Sequence, residues 1–404
     1  MKKYDVTIIG AGAAGMMAAI TASGNGKRVA LIDKNPQLGR KLLATGNGRC
    51  NLTNSVVTLD CYHGANPEFI ETVLSQFDQH ATLEFFQDLG LVVKEESGGR
   101  VFPRTNQASS VVEVLKQHLN KVDVMLEAEV VGIERSSLWK TSLKSGKILQ
   151  SDKLIIATGG RAAFYLGSTG DGLYWAKKLG HSLTPIHAAL VPIEIVEQWP
   201  KDIQGIKVEA GVWATCGNDK ICESAGDVLF TSYGVSGPAI MAQARSVAPL
   251  LQTSEVLLHI DLFPDMAQDQ LDRTVLRVFG SDGRKMLRDA LVGLLPSGMI
   301  PVILRLTGLA ETERIAAITK SKRLEIVRTL KDLTLTVLKL RPLKEAQVTA
   351  GGINSEEIDP QSLQSRLVKG LYFAGEMLDV DGDSGGYNLQ WAWSSGYVAG
   401  KLAD

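Results

Sequence analysis

The sequence predicts an α/β protein in which both ends of the chain, residues 1–188 and 346–404, build one parallel-sheet domain, interrupted by a small β domain (189–263) and a helical insert (264–345). Three observations predict it. The opening segment, Tyr4 to Asp33, reads strand, glycine turn, helix, strand. The closing segment, from Gly351 onward, returns to an apolar strand and a second glycine cluster before a final helix. Between them the hydrophobic pattern changes twice, first to short alternating runs and then to helix-spaced ones.

The elements follow in order. Tyr4 to Ile9 reads as a strand with an apolar run from Val6 to Ile9, Gly10-Ala11-Gly12-Ala13-Ala14-Gly15 makes the turn, a small-residue helix runs to about Ser23, and Arg28 to Asp33 forms the second strand. Helix-spaced apolar positions predict helices over 68–89 and 108–120, and alternation predicts strands over 122–134 and 139–149. Lys153 to Ala157 is a buried strand that ends in Thr158-Gly159-Gly160. Short β-like runs at 191–196, 206–215 and 227–230 make the β domain. Residues 265–345 carry 15 Lys+Arg against 10 Asp+Glu, which predicts a basic insert. Gly370 to Gly375 is the returning strand and turn.

Composition sets the outer bounds. With 404 residues, 45% apolar and 22% charged, the chain can bury two or three cores and is not intrinsically disordered. Its 43 Lys+Arg and 44 Asp+Glu leave a net charge of −1, so total charge selects no polyelectrolyte partner. Four cysteines without a CxxC pair argue against a disulfide scaffold or a structural zinc site and for a reducing compartment. The longest apolar stretch, Ala290 to Leu304, is broken by Pro296, Gly298 and Pro301 and is too short to span a bilayer. The expectation is a cytoplasmic protein without membrane attachment.

Gly10, Gly12 and Gly15 fit GxGxxG: a tight turn, a close backbone approach to a pyrophosphate, and close helix–strand packing. The helix behind them offers unpaired N–H groups of Ala13 and Ala14 to phosphate. Asp33 and Lys34 end the second strand, where the carboxylate is placed to accept bonds from adenosine ribose hydroxyls. FAD and NAD share this opening. Gly375-Glu376-Met377-Leu378-Asp379 suits the ribityl or pyrophosphate side of a flavin nucleotide. Gly385-Gly386-Tyr387-Asn388-Leu389 opens a helix whose N-terminus would stabilise charge at a flavin pyrimidine edge. These favour FAD in a Rossmann-like domain.

With these motifs, together with Gly39 to Asn54, Gly167-Ser168-Thr169-Gly170-Asp171-Gly172, Leu229 to Pro238 and Gly385 to Ala392, the whole chain resembles the BaiN/RdsA-type NAD(P)/FAD-dependent oxidoreductases, a branch of the two-dinucleotide-binding-domain flavoproteins. The resemblance implies bound FAD, a three-part architecture of FAD, β and helical domains, and reduction of conjugated substrates. Among these are a steroid enone and a ribosomal-RNA uridine that becomes dihydrouridine.

Lys41 to Asn54 is polar and glycine-rich, a composition suited to a loop lining the flavin. Gly46, Asn47, Gly48 and Asn51 would present backbone and amide groups to the ring, while Arg40, Lys41 or Arg49 would face phosphate or a reduced flavin's charge. Reducing an alkene needs a proton beside the hydride. Cys50 is the candidate donor, with Arg49 beside it to lower its pKa. Asp171 would hold a flavin or substrate loop. Thr158, Gly159 and Gly160 lie at a strand end where cofactor binds. His181, His187 and His259 show no ligand spacing, so no metal is expected.

The function these readings support is reduction of a conjugated C=C bond by hydride from flavin N5, with uridine in 23S rRNA as the favoured substrate. Lys320, Lys322, Arg323, Arg328 and Lys331 of the basic insert would contact RNA phosphates. No second GxGxxG marks a pyridine-nucleotide domain, so either NAD(P)H reaches the flavin transiently or another donor reduces it. The alternatives are a small-molecule enone reductase, a flavoprotein whose FAD is structural or sensory, and an oxidase passing electrons to O2. Oligomeric state has no signal in the sequence.

Overall fold

The computed structural model describes residues 3–280 and 282–402. The chain divides into two compact units, one of residues 1–187 with 346–404 and one of residues 188–345.

The first unit is built on a seven-stranded sheet. Strand β1 (Lys3–Ile9) leads through the glycine turn into α1 (Ala13–Gly24) and β2 (Val29–Ile32), followed by β3 (Val122–Met125), β4 (Val130–Arg135), β5 (Trp139–Leu143) and β6 (Ile148–Ile156). The order across the sheet is β3-β2-β1-β6-β5-β4. β1 pairs in parallel with β2 from Val6↔Val29 to Ile9↔Ile32, and with β6 from Lys3↔Gln150 to Ile9↔Ile156. From Tyr4 onward β1 is almost continuously buried because a central parallel strand is covered on both faces. The predicted strand at 153–157 is the far half of a longer one: β6 forms a hairpin with β5 over its first half, then runs parallel to β1 along its length. Helix α2 (Asp171–Lys178) follows beyond the strand end.

The helix expected over 68–89 is two helices, Pro67–Leu74 and Gln79–Asp88. Asp78 causes the break. Its carboxylate accepts the Ala81 N–H as an N-cap, and an N-cap residue is extended, so no helix runs through it.

The second unit is a closed six-stranded barrel with helices packed on it. Its strands are β7 (Ile193–Ile195), β8 (Lys207–Cys216), β9 (Asp219–Thr231), β10 (Gly234–Ser236), β11 (Val256–Asp261) and β12 (Leu333–Leu340), closing in the order β7-β10-β9-β8-β11-β12. Inward residues alternate, as Val256, Leu258 and Ile260 on β11 and Leu333, Leu335 and Val337 on β12 show. Four helices, Gln268–Phe279, Leu287–Leu291, Ile300–Leu306 and α3 (Lys320–Lys331), separate β11 from β12 and share one core with the barrel. β12 therefore lies inside the segment read as helical. It follows α3 after a single residue, Asp332, and without it β11 and β7 would both be open edges.

The chain then re-enters the first unit. β13 (Leu371–Phe373) pairs in parallel with the second half of β6, on the side where β5 pairs with the first half. Helix α4 (Tyr387–Lys401) packs along α1. Small residues make that approach possible: a Cβ at Gly396 would lie 2.4 Å from the Ala14 carbonyl oxygen, and one at Gly400 2.7 Å from that of Ala18.

Candidate functional site

The glycine turn after β1 is shaped by contact. Gly10 has φ +104°, and a Cβ there would lie 2.4 Å from the Ala157 carbonyl oxygen at the end of β6. A Cβ at Gly15 would strike the Gly10 carbonyl oxygen at 1.8 Å. Gly12 differs from both: a Cβ there would meet nothing within 4 Å, so its backbone faces open space. Gly12 is the N-cap of α1, no side chain caps the helix, and its first turn has no acidic residue. The N–H groups at Ala13 and Ala14 thus form a donor-rich end beside that space.

A second such end lies on α4. Gly386 is its N-cap at φ 110°, again without a side-chain cap. Gly396 lies against Ala14 and Gly400 against Ala18, so the two helices run the same way. α4 begins nine residues before Gly396, α1 one residue before Ala14. The α4 N-terminus therefore projects about 12 Å past that of α1, at 1.5 Å rise per residue. Two positive helix ends, facing one way and staggered along one line, suit an elongated ligand with an anionic middle.

The segment before α4 is anchored to the loop that follows Lys41. Asn54 Nδ2 donates to the Gly385 carbonyl at 3.0 Å, and Thr53 Oγ1 donates to Gln390 Oε1 at 2.6 Å. Asn388 closes its own turn, accepting the Gly382 N–H at 2.9 Å and donating back to the Gly382 carbonyl at 2.6 Å. The Tyr387 ring lies edge-on to Tyr62 at 6.0 Å, and Leu389 is partly buried against the core. In the loop, Gly46 and Asn47 both sit at positive φ, 56° and 55°, and a Cβ at Gly48 would meet nothing within 4 Å. Asn51 Oδ1 is buried and, among the described residues, has no hydrogen-bond partner. An orphan acceptor next to exposed glycine backbone fits a ligand that brings a donor.

Cys50 and Arg49 diverge from expectation. Cys50 is fully buried at φ 62°, and burial pushes its thiol up to about 12, only partly offset by a hydrogen bond with Thr45. The expected lowering by Arg49 does not occur because the guanidinium points elsewhere. It pairs with Glu96, donates to Asn106 Oδ1 at 2.8 Å and lies 4.1 Å over the Phe102 ring.

At the other end of the sheet edge, Asp33 organises the turn: Oδ2 accepts the Ala11 N–H at 2.7 Å and Oδ1 accepts the Asn35 N–H at 2.8 Å. Lys34 reaches Asp171 at 2.6 Å and also bonds Thr169. Burial pushes the Asp171 carboxyl up, but Lys34 and the Thr169 hydroxyl outweigh it and the net shift is downward. Asp171 thus joins the Asp33 end and not the Gly385 end. Lys41 pairs with Glu376 at 2.5 Å, and Glu376 Oε1 accepts the Thr349 N–H at 2.9 Å. The Thr349 hydroxyl accepts the Arg161 and Ala162 N–H groups at 2.8 and 2.9 Å, just after Thr158, Gly159 and Gly160. Gly375 donates its N–H to Ser395 of α4 at 2.9 Å, and the Asp379 carbonyl accepts the Ala65 N–H at 2.6 Å.

Sequence reasoning passed over Thr349, Asn54 as a ligand of Gly385, and His63, whose Nε2 lies 2.9 Å from Asp383 Oδ1. None stands in a glycine turn, the signal that marked the other residues. Among the described residues no group of three or more His, Cys, Asp or Glu is placed to hold a metal ion, and no helix is long and apolar enough to cross a membrane.

In the basic insert, four of the five cations named from the sequence are paired with carboxylates. Lys322 pairs with Glu313, Arg323 with Asp272 through two bonds of 2.7 and 3.1 Å, Arg328 with Glu325, and Lys331 with Asp261. Lys331 also donates to the Phe263 and Met266 carbonyls. Of the five cations named from the sequence, Lys320 alone lacks such a partner among the described residues.

A mainly parallel sheet with a glycine-fronted helix at the carboxyl end of its central strand and a second, staggered helix end defines a Rossmann-type dinucleotide-binding protein. The chain matches the family described as HI0933-like protein Rossmann domain over residues 4–402 and belongs to it, an FAD-binding family of flavin-dependent oxidoreductases. It is similar to the 3-dehydro-bile acid delta(4,6)-reductase of Clostridium scindens, at 36% identity over 98% of each chain. It is also similar to the ribosomal RNA dihydrouridine synthase of Escherichia coli, at 30% identity over 99% of this chain and 98% of the relative. Among solved structures, a 3-ketosteroid delta1-dehydrogenase from Sterolibacterium denitrificans shares the fold with a TM-score of 0.51 at 13% identity, over 99% of both chains.

Proposed function

We propose that the chain is an FAD-dependent reductase of a conjugated C=C bond and that its substrate is a uridine in 23S ribosomal RNA. The observation that carries the cofactor assignment is the pair of uncapped helix N-termini, parallel and staggered by about 12 Å. The names of two full-length relatives carry the reaction class. One specifies a delta(4,6)-reductase and the other a dihydrouridine synthase, and both describe saturation of a carbon–carbon double bond.

When bound, FAD supplies hydride from N5 to one alkene carbon. The chain does the rest. Gly10, Gly12, Ala13, Ala14 and Gly15 hold the pyrophosphate, and Asp33, with Lys34 and Asp171 beside it, takes the adenosine ribose. Gly375, Glu376 and Asp379, with Thr158, Gly159 and Gly160, flank the ribityl chain, while Lys41 keeps Glu376 in place. Gly46, Asn47, Gly48 and Asn51 line the ring, with Asn51 Oδ1 as an acceptor. Gly385, Gly386, Tyr387, Asn388 and Leu389 set the positive helix end at the pyrimidine edge. Cys50 keeps its proton at neutral pH but is fully buried, so its thiol packs beneath the loop, and Arg49 supports the loop from outside through Glu96.

A second reading, a small conjugated enone as substrate, is favoured by the neutralised cations of α3 and by the higher identity to the bile-acid reductase. One experiment separates the readings. The purified flavoprotein is bleached anaerobically with NADH or NADPH and then offered an rRNA fragment or a 3-keto-4,6-diene steroid. Reoxidation by RNA with a new dihydrouridine in the digested nucleosides supports the first reading, and reoxidation by the steroid alone supports the second. Failure to bleach with either nucleotide or with dithionite identifies a structural flavin. Stoichiometric peroxide on admission of air, without alkene turnover, identifies an oxidase.

A further inference from the structure

The segment between β6 and the end of α2 carries a surface that the reductase reading leaves unused. Phe164 and Tyr165 are 51% and 59% exposed, although large apolar rings are ordinarily covered. They sit on a short turn whose backbone is closed by Leu166 N–H to the Ala163 carbonyl at 2.8 Å and Gly167 N–H to that of Phe164 at 2.9 Å. The rings stand edge to face, with centroids 6.4 Å apart. A third ring, Tyr174 on α2, is 57% exposed and has the Lys178 ammonium 4.6 Å from its centroid.

Charge and local packing add further groups to this segment. The Arg161 side chain lies against Gly170, the N-cap of α2, since a Cβ there would come within 2.9 Å of Arg161 Cγ. Tyr174 begins the next turn, and its N–H bonds the Gly170 carbonyl at 3.2 Å. Lys177 and Lys178 follow on the same exposed face. From Thr158 to Gly180 the cations are Arg161, Lys177 and Lys178, and the single carboxylate, Asp171, is already held by Lys34. The surface therefore combines exposed π-faces with uncompensated positive charge at the carboxyl end of the strand whose glycines flank the candidate site.

We infer that Arg161, Phe164, Tyr165, Tyr174, Lys177 and Lys178 bind single-stranded RNA, the rings stacking on unpaired bases and the cations contacting phosphates. This inference rests on the uridine reading and supplies the RNA contact that α3 does not. Duplex RNA does not fit, because its bases are already stacked and offer edges, 2′-hydroxyls and backbone, not open faces, to an aromatic surface. A single strand offers both faces of each base, and stacking tolerates any sequence.

The test measures fluorescence anisotropy of a labelled 12-residue oligouridylate with the FAD-loaded protein at several salt concentrations. The wild type binds it and prefers it over a duplex of the same length. Phe164→Ala/Tyr165→Ala weakens binding by about tenfold or more, as loss of one or two stacked bases requires. Lys177→Gln/Lys178→Gln flattens the dependence of log affinity on log salt by roughly 0.7 for each phosphate that the protein no longer neutralises. Equal affinity for single strand and duplex, undetectable binding at low salt, or unchanged affinity in Phe164→Ala/Tyr165→Ala overturns the inference. Visible absorbance and anaerobic bleaching by NAD(P)H show whether each variant retains folded, reducible flavoprotein. If oligouridylate binds through these side chains but rRNA uridine is never reduced, the uridine reading falls and the surface stands. If rRNA is reduced and the aromatic double variant keeps the wild-type KM for it, the surface falls and the reading stands.

Discussion

Lys41 and Glu376, separated by 335 positions, form an ion pair of 2.5 Å in which both side chains are mostly buried, 24% and 19% exposed. The pair ties the helix ahead of the ring-lining loop to the turn after β13, and Glu376 uses its other oxygen for the Thr349 N–H. Removing one partner leaves a largely desolvated charge, so Lys41→Met is expected to lower stability by about 1–3 kcal/mol. Glu376→Gln keeps an acceptor for Thr349 and is expected to cost less. A urea-melt double-mutant cycle checks this: coupling near zero between the two positions would show that the pair does not join the segments.

The α1–α4 contact should tolerate no added atom. Gly396→Ala places a methyl where the Ala14 carbonyl oxygen lies 2.4 Å away, and is expected to destabilise by about 1–3 kcal/mol and to loosen FAD retention. Gly24→Ala, at the exposed end of α1 where a Cβ meets nothing within 4 Å, is expected to stabilise by up to about 1 kcal/mol. Denaturation midpoints of the two variants should shift in opposite directions.

Cys50 should be the slowest thiol to label. Burial and a pKa pushed up to about 12 leave it a vanishing thiolate fraction at pH 8, whereas Cys61 and Cys216 are partly exposed. Timed alkylation read by peptide mass spectrometry is expected to modify Cys61 and Cys216 in the native protein, and Cys50 only on unfolding. Labelling of Cys50 at the rate of Cys61 would contradict its placement.

His181 should make the first unit acid-sensitive. Its Nδ1 lies 3.0 Å from Glu357 Oε2 and its Nε2 2.8 Å from Ser365 Oγ, which already accepts the Leu367 and Val368 N–H groups. Burial lowers the imidazole pKa more than Glu357 raises it. Because the folded value is depressed, the unfolded chain binds more protons, and stability complete above about 6.5 is lost as pH falls through the folded value. The melting temperature is expected to drop between pH 7 and pH 5, with a shallower slope in His181→Gln.

What the sequence disclosed was local. β1, the glycine turn, α1 and β2 follow from a strand-length run, a glycine-punctuated turn and a helix period within thirty-odd residues of one another, and they appear within a residue or two of the expected bounds. Information carried by distant partners was not legible. Arg49 could not be seen to turn from Cys50, because the residue that draws it, Glu96, is 47 positions away. The α3 cations looked free because Asp261 and Asp272 meet them only through tertiary packing. β12 was hidden for another reason: it starts one residue after a helix, so no turn signal separates the two periods. Thr349 was invisible because a buried threonine has the same appearance whether it fills space or holds three segments together.

The pairing of β6 with β13, and of α1 with α4, sets the timetable by which this chain can fold during synthesis. All six barrel strands and their helices are encoded between residues 188 and 345, so that module can condense as soon as it clears the ribosome. The earlier-made β1, α1 and β6 must meanwhile wait with an uncovered helix face and an unfilled sheet edge. The earlier-made half of the first unit thus matures after the barrel module, which makes it the natural client for chaperones and gives FAD a late point of capture.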